Sequence, residues 1–183
     1  MKTMRLSDRL ITDRETLCAI LDRLDAVALG LVDDGEPYTV PVNFGYDFTD
    51  EKLTFYIHCA SEGSKVDMLA AHPRVCVTGW LFHKLSGNTG HFMHTYASVM
   101  AFGTARRIDP DTESENWIRA HERLIDCSGF HGRMTLSGPA HHFDMYRIDC
   151  DRSEVFGKSQ HPLRGAEQVK KIYDDGNEED FGF

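Results

Sequence analysis

Residues 37–80, PYTVPVNFGYDFTDEKLTFYIHCASEGSKVDMLAAHPRVCVTGW, constrain the fold more tightly than the rest of the chain. Tyr38, Val40, Val42, Phe44 and Tyr46 alternate with Thr39, Pro41, Asn43 and Gly45. That period of two is a strand with one apolar face and one smaller, more polar face. Pro41 has no N–H to give a ladder, so this strand belongs at an edge or an interruption. Leu53, Phe55 and Ile57 alternate with Thr54, Tyr56 and His58 in a further strand. A loop of small polar residues then opens a short helix over 63–71, which His72-Pro73 ends, and 74–81 reads as a strand again.

The helix opening is Ser61-Glu62-Gly63-Ser64-Lys65. The first turn of a helix leaves backbone N–H groups unpaired at the positive end of its dipole, which suits a phosphate. Two hydroxyls and one ammonium add to that suitability. The net charge of −9 argues against general nucleic-acid binding and against an anionic membrane surface. It also makes a local cation such as Lys65 necessary if a dianionic phosphate is to bind.

Elsewhere, Thr12-Asp13-Arg14-Glu15 fits a capping box, with Leu17, Ile20, Leu21 and Leu24 at helical spacing, so a helix is expected over 13–25. Val27 to Val32 reads as a strand and 33–37 as a hairpin turn. Two glycines with Ser86, Asn88 and Thr89 suggest a loop over 83–93, followed by a long strand over 96–108. Asp109-Pro110 is a good helix start, and Trp117, His121, Leu124 and Ile125 mark a stripe expected to be core. Residues 128–141 suggest an irregular connection, and 142–155 a last strand or bent strand pair. A single domain is expected over 1–160, with 161–183 an extension whose last ten residues hold five acids and no base. Six or so strands, mostly hairpin-connected, with helices between them, indicate an α+β antiparallel barrel. Neither GxGxxG nor GxxxxGK[ST] is present, which removes the dinucleotide-fingerprint and P-loop readings.

Four segments in order resemble the FMN-binding split-barrel superfamily typified by pyridoxamine 5′-phosphate oxidase, and within it the Nim-type, nitroimidazole-reductase-related branch. They are VPVNFGY (40–46), LTFYIHCASEGSKVDML (53–69), HPRVCVTGW (72–80) and YASVMAFGTARRID (96–109). The resemblance covers roughly residues 10 to 158 and implies an antiparallel split β-barrel with FMN at a homodimer interface. It implies that Val40, Pro41, Val42 and Asn43 run beside the isoalloxazine ring, and that Tyr56 and His58 line the ribityl chain or ring. Ser64 and Lys65 would hold the phosphate, Glu62 and Gly63 would shape the turn, and Ser98 would reach in from the partner subunit. The oxidase has a further basic residue where this chain has Ser64, so the charge falls on Lys65. The oxidase's C-terminal Arg and His substrate pattern has no match, so a vitamin B6 role is not inherited. The implied activity is that of an FMN-dependent oxidoreductase acting on a small organic acceptor, nitro-aromatics among the candidates, with NAD(P)H as a possible donor.

Bland readings stand beside these. Lys65 could be a solvated charge, Tyr56 a packing residue, and His58 and Asn43 could be satisfied by neighbouring backbone. His83, His91 and His94 bracket one loop, but their spacing fits no zinc pattern, and no metal is expected. No GxSxG supports a serine triad. A flavin-binding module without turnover, or a split barrel holding haem or deazaflavin, are the alternatives. Five unpaired-looking cysteines, no apolar run of about 20 residues and a charged N-terminus lead to a cytoplasmic expectation.

Overall fold

The computed structural model describes residues 5–88, 91–127, 143–160, 163 and 165–174, with backbone alone at 83–88 and 91–93. In chain order the strands are β1 (Leu10–Ile11), β2 (Val27–Asp33), β3 (Glu36–Val42), β4 (Gly45–Phe48), β5 (Lys52–Cys59), β6 (Arg74–Asn88), β7 (His91–Ile108), β8 (Asp144–Asp151) and β9 (Val155–Ser159). The helices are α1 (Arg14–Leu21), α2 (Ser64–Ala71), α3 (Ser114–Cys127) and α4 (Ala166–Tyr173). This is the α+β, antiparallel split-barrel type of fold, with nine strands described where about six were expected.

The chain divides into two compact units, with β6 and β7 contributing to both. The larger, residues 25–77 and 101–154, holds the strand order β3-β2-β6-β7-β8-β5-β4. β2–β3, β4–β5, β5–β8 and β7–β8 are antiparallel. The β2–β3 hairpin turns through Asp34 (φ 46°) and Gly35 (φ 92°), two successive left-handed residues whose twist matches that of the flanking strands. β3 is the edge strand, as Pro41 requires, and Pro41 sits opposite Ala28.

From Leu53 to Ile57 β5 is buried on both faces, because α3 covers the side that alternation marked as the more polar one. Tyr56, Ile108, Trp117, Ala120 and Met145 form a core cluster there. Gly45 lies so close to α3 that a Cβ on it would stand 2.4 Å from the Arg123 carbonyl carbon. Sheet and helix therefore meet backbone to backbone at this point.

In the smaller unit, residues 1–24, 78–100 and 155–183, β9 pairs with β1 and β7. α4 buries Val169 and Ile172 and packs on α1, while Arg23 pairs with Asp174. The acidic composition of the C-terminal segment gave no sign of this helix.

Several expectations need correction. Where it is described the 83–93 segment is extended, 83–88 ending β6 and 91–93 opening β7, and residues 89–90 lie outside the described residues. The expected 38–46 strand is two strands, broken at Asn43-Phe44. The first helix ends at Leu21 rather than residue 25, with Asp22 as its C-cap. α3 starts at Ser114, since Asp109 instead closes a preceding turn, its Oδ1 accepting from the amides of Asp111 (2.9 Å) and Thr112 (3.4 Å). Of the last strand or bent strand pair expected over 142–155, the structure has two strands, β8 and β9, separated by a 3-10 turn at 152–154, and β9 runs on to Ser159. The irregular connection expected at 128–141, and the acidic tail beyond Asp174, lie outside the described residues.

Candidate functional site

The larger unit contains two cavities that share Asn43 and His58. One, of about 320 Å³, is lined by Ala26, Pro41, Val42, Asn43, His58 and Lys65. Five of these six were singled out from sequence. They are brought together because β3 ends at Val42, just before Asn43, β5 ends near His58, and α2 begins at Ser64. Among the described residues β3 has no neighbour on its outer side, so its outward N–H and C=O groups are free for a ligand.

The α2 N-terminus provides the anion-favouring end. Gly63 is its N-cap at φ 121°, ψ 166°, a conformation that only glycine adopts without strain. No side chain caps the helix, and the Val66 and Asp67 amides both bond the Gly63 carbonyl (2.8 and 3.2 Å). Glu62, Gly63 and Ser64 are exposed and Lys65 is half-buried. Among the described residues Lys65 has no ion-pair partner.

The second cavity, about 450 Å³, is walled by Leu124 and Ile125 of α3, by Phe143 and Met145, and by three polar side chains, Asn43, His58 and His121. His121 stacks on Trp117 at 5.4 Å and 11°, Trp117 on Phe143 at 6.0 Å, and Phe143 meets His58 edge to face at 5.9 Å. Burial, with the nearby His58 imidazole adding to it, pushes His121 below the ordinary histidine range. The expected core stripe of α3 is thus divided. Trp117 is core, but His121, Leu124 and Ile125 are half-buried and face a cavity. A third, more polar cavity of about 330 Å³ includes Ser61 of the α2 loop and the ion pair of Arg107 with Asp144 (2.8 Å).

The remaining singled-out residues lie elsewhere. Val40 is half-buried and paired with Leu29, outside the linings of these three cavities. Asn43, which lines both of the first two cavities, donates its Nδ2 to the Asp25 carbonyl at 3.1 Å. Tyr56 is only 5% exposed, and its hydroxyl donates to Asp47 Oδ2 at 2.9 Å. Burial, and then that donation, raise the Tyr56 pKa to about 12. Ser98, in the smaller unit, donates its hydroxyl to the Lys158 carbonyl at 3.2 Å.

Asp47 is the electrostatic hub beneath this wall. Besides Tyr56 it accepts from Arg119 Nε and Arg123 Nε, each at 2.7 Å. Burial alone would raise its carboxyl, but the bonds from Arg119, Tyr56 and Arg123 outweigh it and hold the pKa at about 2. The two arginines are one helical turn apart on α3, so Asp47 pins that helix to β4. Neither Asp47 nor the cavity role of His121 was visible from sequence, because both depend on how α3 docks.

A family model described as pyridoxamine 5′-phosphate oxidase matches residues 13–153. Among solved structures, one assigned to 5-nitroimidazole antibiotic resistance in Bacteroides thetaiotaomicron superposes with a TM-score of 0.70 at 28% identity, over 82% of this chain and 86% of that one. The flavocytochrome Anf3 of Azotobacter vinelandii gives 0.65 at 23% identity, over 91% and 77%. An FAD- and haem-binding protein of Mycobacterium smegmatis gives 0.66 at 20% identity, over 88% and 78%. The last two likenesses speak to fold alone. No curated protein matches the chain significantly.

Proposed function

Because this chain belongs to the pyridoxamine 5′-phosphate oxidase family, we propose that it is an FMN-dependent oxidoreductase serving a small organic acceptor, with nitro-aromatics in range. The observation that carries this reading is the convergence of Pro41, Val42, Asn43, His58 and Lys65 on one cavity at the uncapped start of α2. Such a cavity offers a cation and free amides at one end and strand-edge backbone groups at the other. FMN has matching chemistry, an anionic phosphate joined to a flat ring with hydrogen-bonding edges.

In this reading Lys65 and Ser64 hold the phosphate and Gly63 supplies the turn that lets the amides approach it. The backbone of residues 40–43 meets the ring edge, and His58 stands between ring and phosphate. Tyr56, tied to Asp47, acts through the wall rather than by touching the flavin. FMN, when bound, supplies the hydride and electron chemistry, so the residues around it need only bind, orient and exclude water. We further propose a cytoplasmic homodimer with flavin at the subunit interface and NAD(P)H as donor. The net charge of −9 and five free cysteines favour such a setting, and among the described residues no helix is long and apolar enough to cross a membrane. If Ser98 contributes to the partner's flavin, it must share or exchange its bond to Lys158.

Riboflavin lacks only the phosphate and isolates its contribution. Titrated into flavin-free protein and followed by flavin fluorescence, FMN is expected to bind roughly 10–100-fold tighter than riboflavin. Equal affinities would remove the phosphate from the α2 loop.

A further inference from the structure

A flavin held as proposed occupies the cavity beside Lys65, and the larger, α3-walled cavity is left without a role. We propose that this second cavity is the acceptor pocket, and that His121 selects flat, uncharged aromatic molecules there. The inference rests on the flavin reading for the word acceptor, and on geometry alone for the pocket and its selectivity.

Three observations converge. The cavity adjoins the flavin cradle through Asn43 and His58, which line both, so a molecule in it would lie beside whatever occupies the cradle. Its volume of about 450 Å³ suits a single substituted ring system. Among the described residues none that lines it is an Asp, Glu, Lys or Arg, and Lys65 belongs to the neighbouring cavity.

Among the described residues an anionic ligand would therefore meet Leu124, Ile125, Phe143 and Met145 and no counter-ion, at a large desolvation cost. A neutral ring loses nothing of that kind. The imidazole of His121 is kept flat against Trp117, which in turn stacks on Phe143, so its plane is fixed before a ligand arrives. Kept neutral, that imidazole offers one donor and one acceptor, enough to orient a carbonyl or nitro oxygen. The charged groups around it agree. His58 faces it from β5 and disfavours its protonation, while Glu122, next to it on α3, acts weakly in the opposite direction. Arg119 and Arg123 are held by Asp47.

Nitrobenzene and 4-nitrobenzoate differ by one carboxylate and test the charge rule directly. Calorimetric titration of the full chain, with and without added FMN and above the ordinary histidine pKa range, is expected to show nitrobenzene bound at least about tenfold tighter. His121→Lys places an ammonium in the wall and is expected to reverse that preference. Glu122→Lys changes the net charge by the same sign on the exposed side of α3 and is expected to leave it unaltered. His121→Gln, which keeps a donor and an acceptor, is expected to retain most nitrobenzene affinity, whereas His121→Leu loses it several-fold. Affinities that do not respond to His121, or that respond equally to Glu122→Lys, overturn the assignment whether or not flavin binds. A chain that binds no flavin but keeps the His121-dependent preference removes the flavin reading and leaves the pocket standing.

Discussion

Replacing Lys65 by alanine is expected to weaken FMN binding roughly 10–100-fold while leaving riboflavin nearly unaffected. The size follows from a charge-assisted hydrogen bond to a group carrying close to two negative charges, about 1.5–3 kcal/mol. It is not larger, because the Ser64 hydroxyl and the free amides of the α2 start remain in the variant. Nor should the fold suffer, since Lys65 is only half-buried and has no ion-pair partner among the described residues. Fluorescence titration with both flavins, together with a thermal melt, makes the comparison complete. A variant that keeps full FMN affinity would reassign Lys65 to the solvated surface.

The largest effect on stability is expected at Asp47. Asp47→Ala removes the common acceptor of Tyr56, Arg119 and Arg123 and strands a tyrosine hydroxyl in the α3–β5 interface. Loss of a partly buried, hydrogen-bonded ion-pair partner costs roughly 2–4 kcal/mol, discounted here because both arginines reach solvent and can rehydrate. The same network predicts an acid limb. The carboxyl is held at about 2 in the folded protein against an ordinary 3.8, so its contribution is fully present above the unfolded value. That contribution is lost as pH falls from about 4 through about 2. Chemical denaturation across that window should show a steeper loss in the wild type than in Asp47→Ala. A variant as stable as the wild type, or one with an unchanged acid limb, would show that α3 docks without Asp47.

The strand that could be read best from sequence was also the one most misjudged in its surroundings. Alternation in LTFYIH located β5 correctly and set Thr54, Tyr56 and His58 on its less apolar face, and the family resemblance implied that Tyr56 and His58 line the flavin. In the structure only His58 is exposed. Thr54 bonds Asp149 at 2.9 Å and Tyr56 bonds Asp47, so two of the three face-sharing residues are buried polar groups with protein partners. Periodicity records which residues share a face and is silent on what covers it. The same limit explains α3. A 3.6-residue stripe looks identical whether it meets packed side chains, as Trp117 does, or an open cavity, as His121 does.

The cradle was more legible because its signals are local. Pro41 marks an edge, Gly63 marks a backbone conformation closed to other residues, and Lys65 follows it at the helix start. Each of these depends on a few adjacent residues, and the fold then brings them to one cavity. Ala26, which completes that cavity, carries no chemical signal at all. The C-terminal helix α4 was hidden for another reason. Its buried Val169 and Ile172 are two apolar residues in a charged segment, and they become meaningful only against α1.

The claim on which the rest depends is that this chain carries FMN. An absorbance spectrum of the protein as purified, with the released chromophore identified by mass, tests it most directly. The twin bands of a bound flavin and the mass of FMN are the expected result. A single intense Soret band, or a colourless protein that takes up no added FMN, would contradict it.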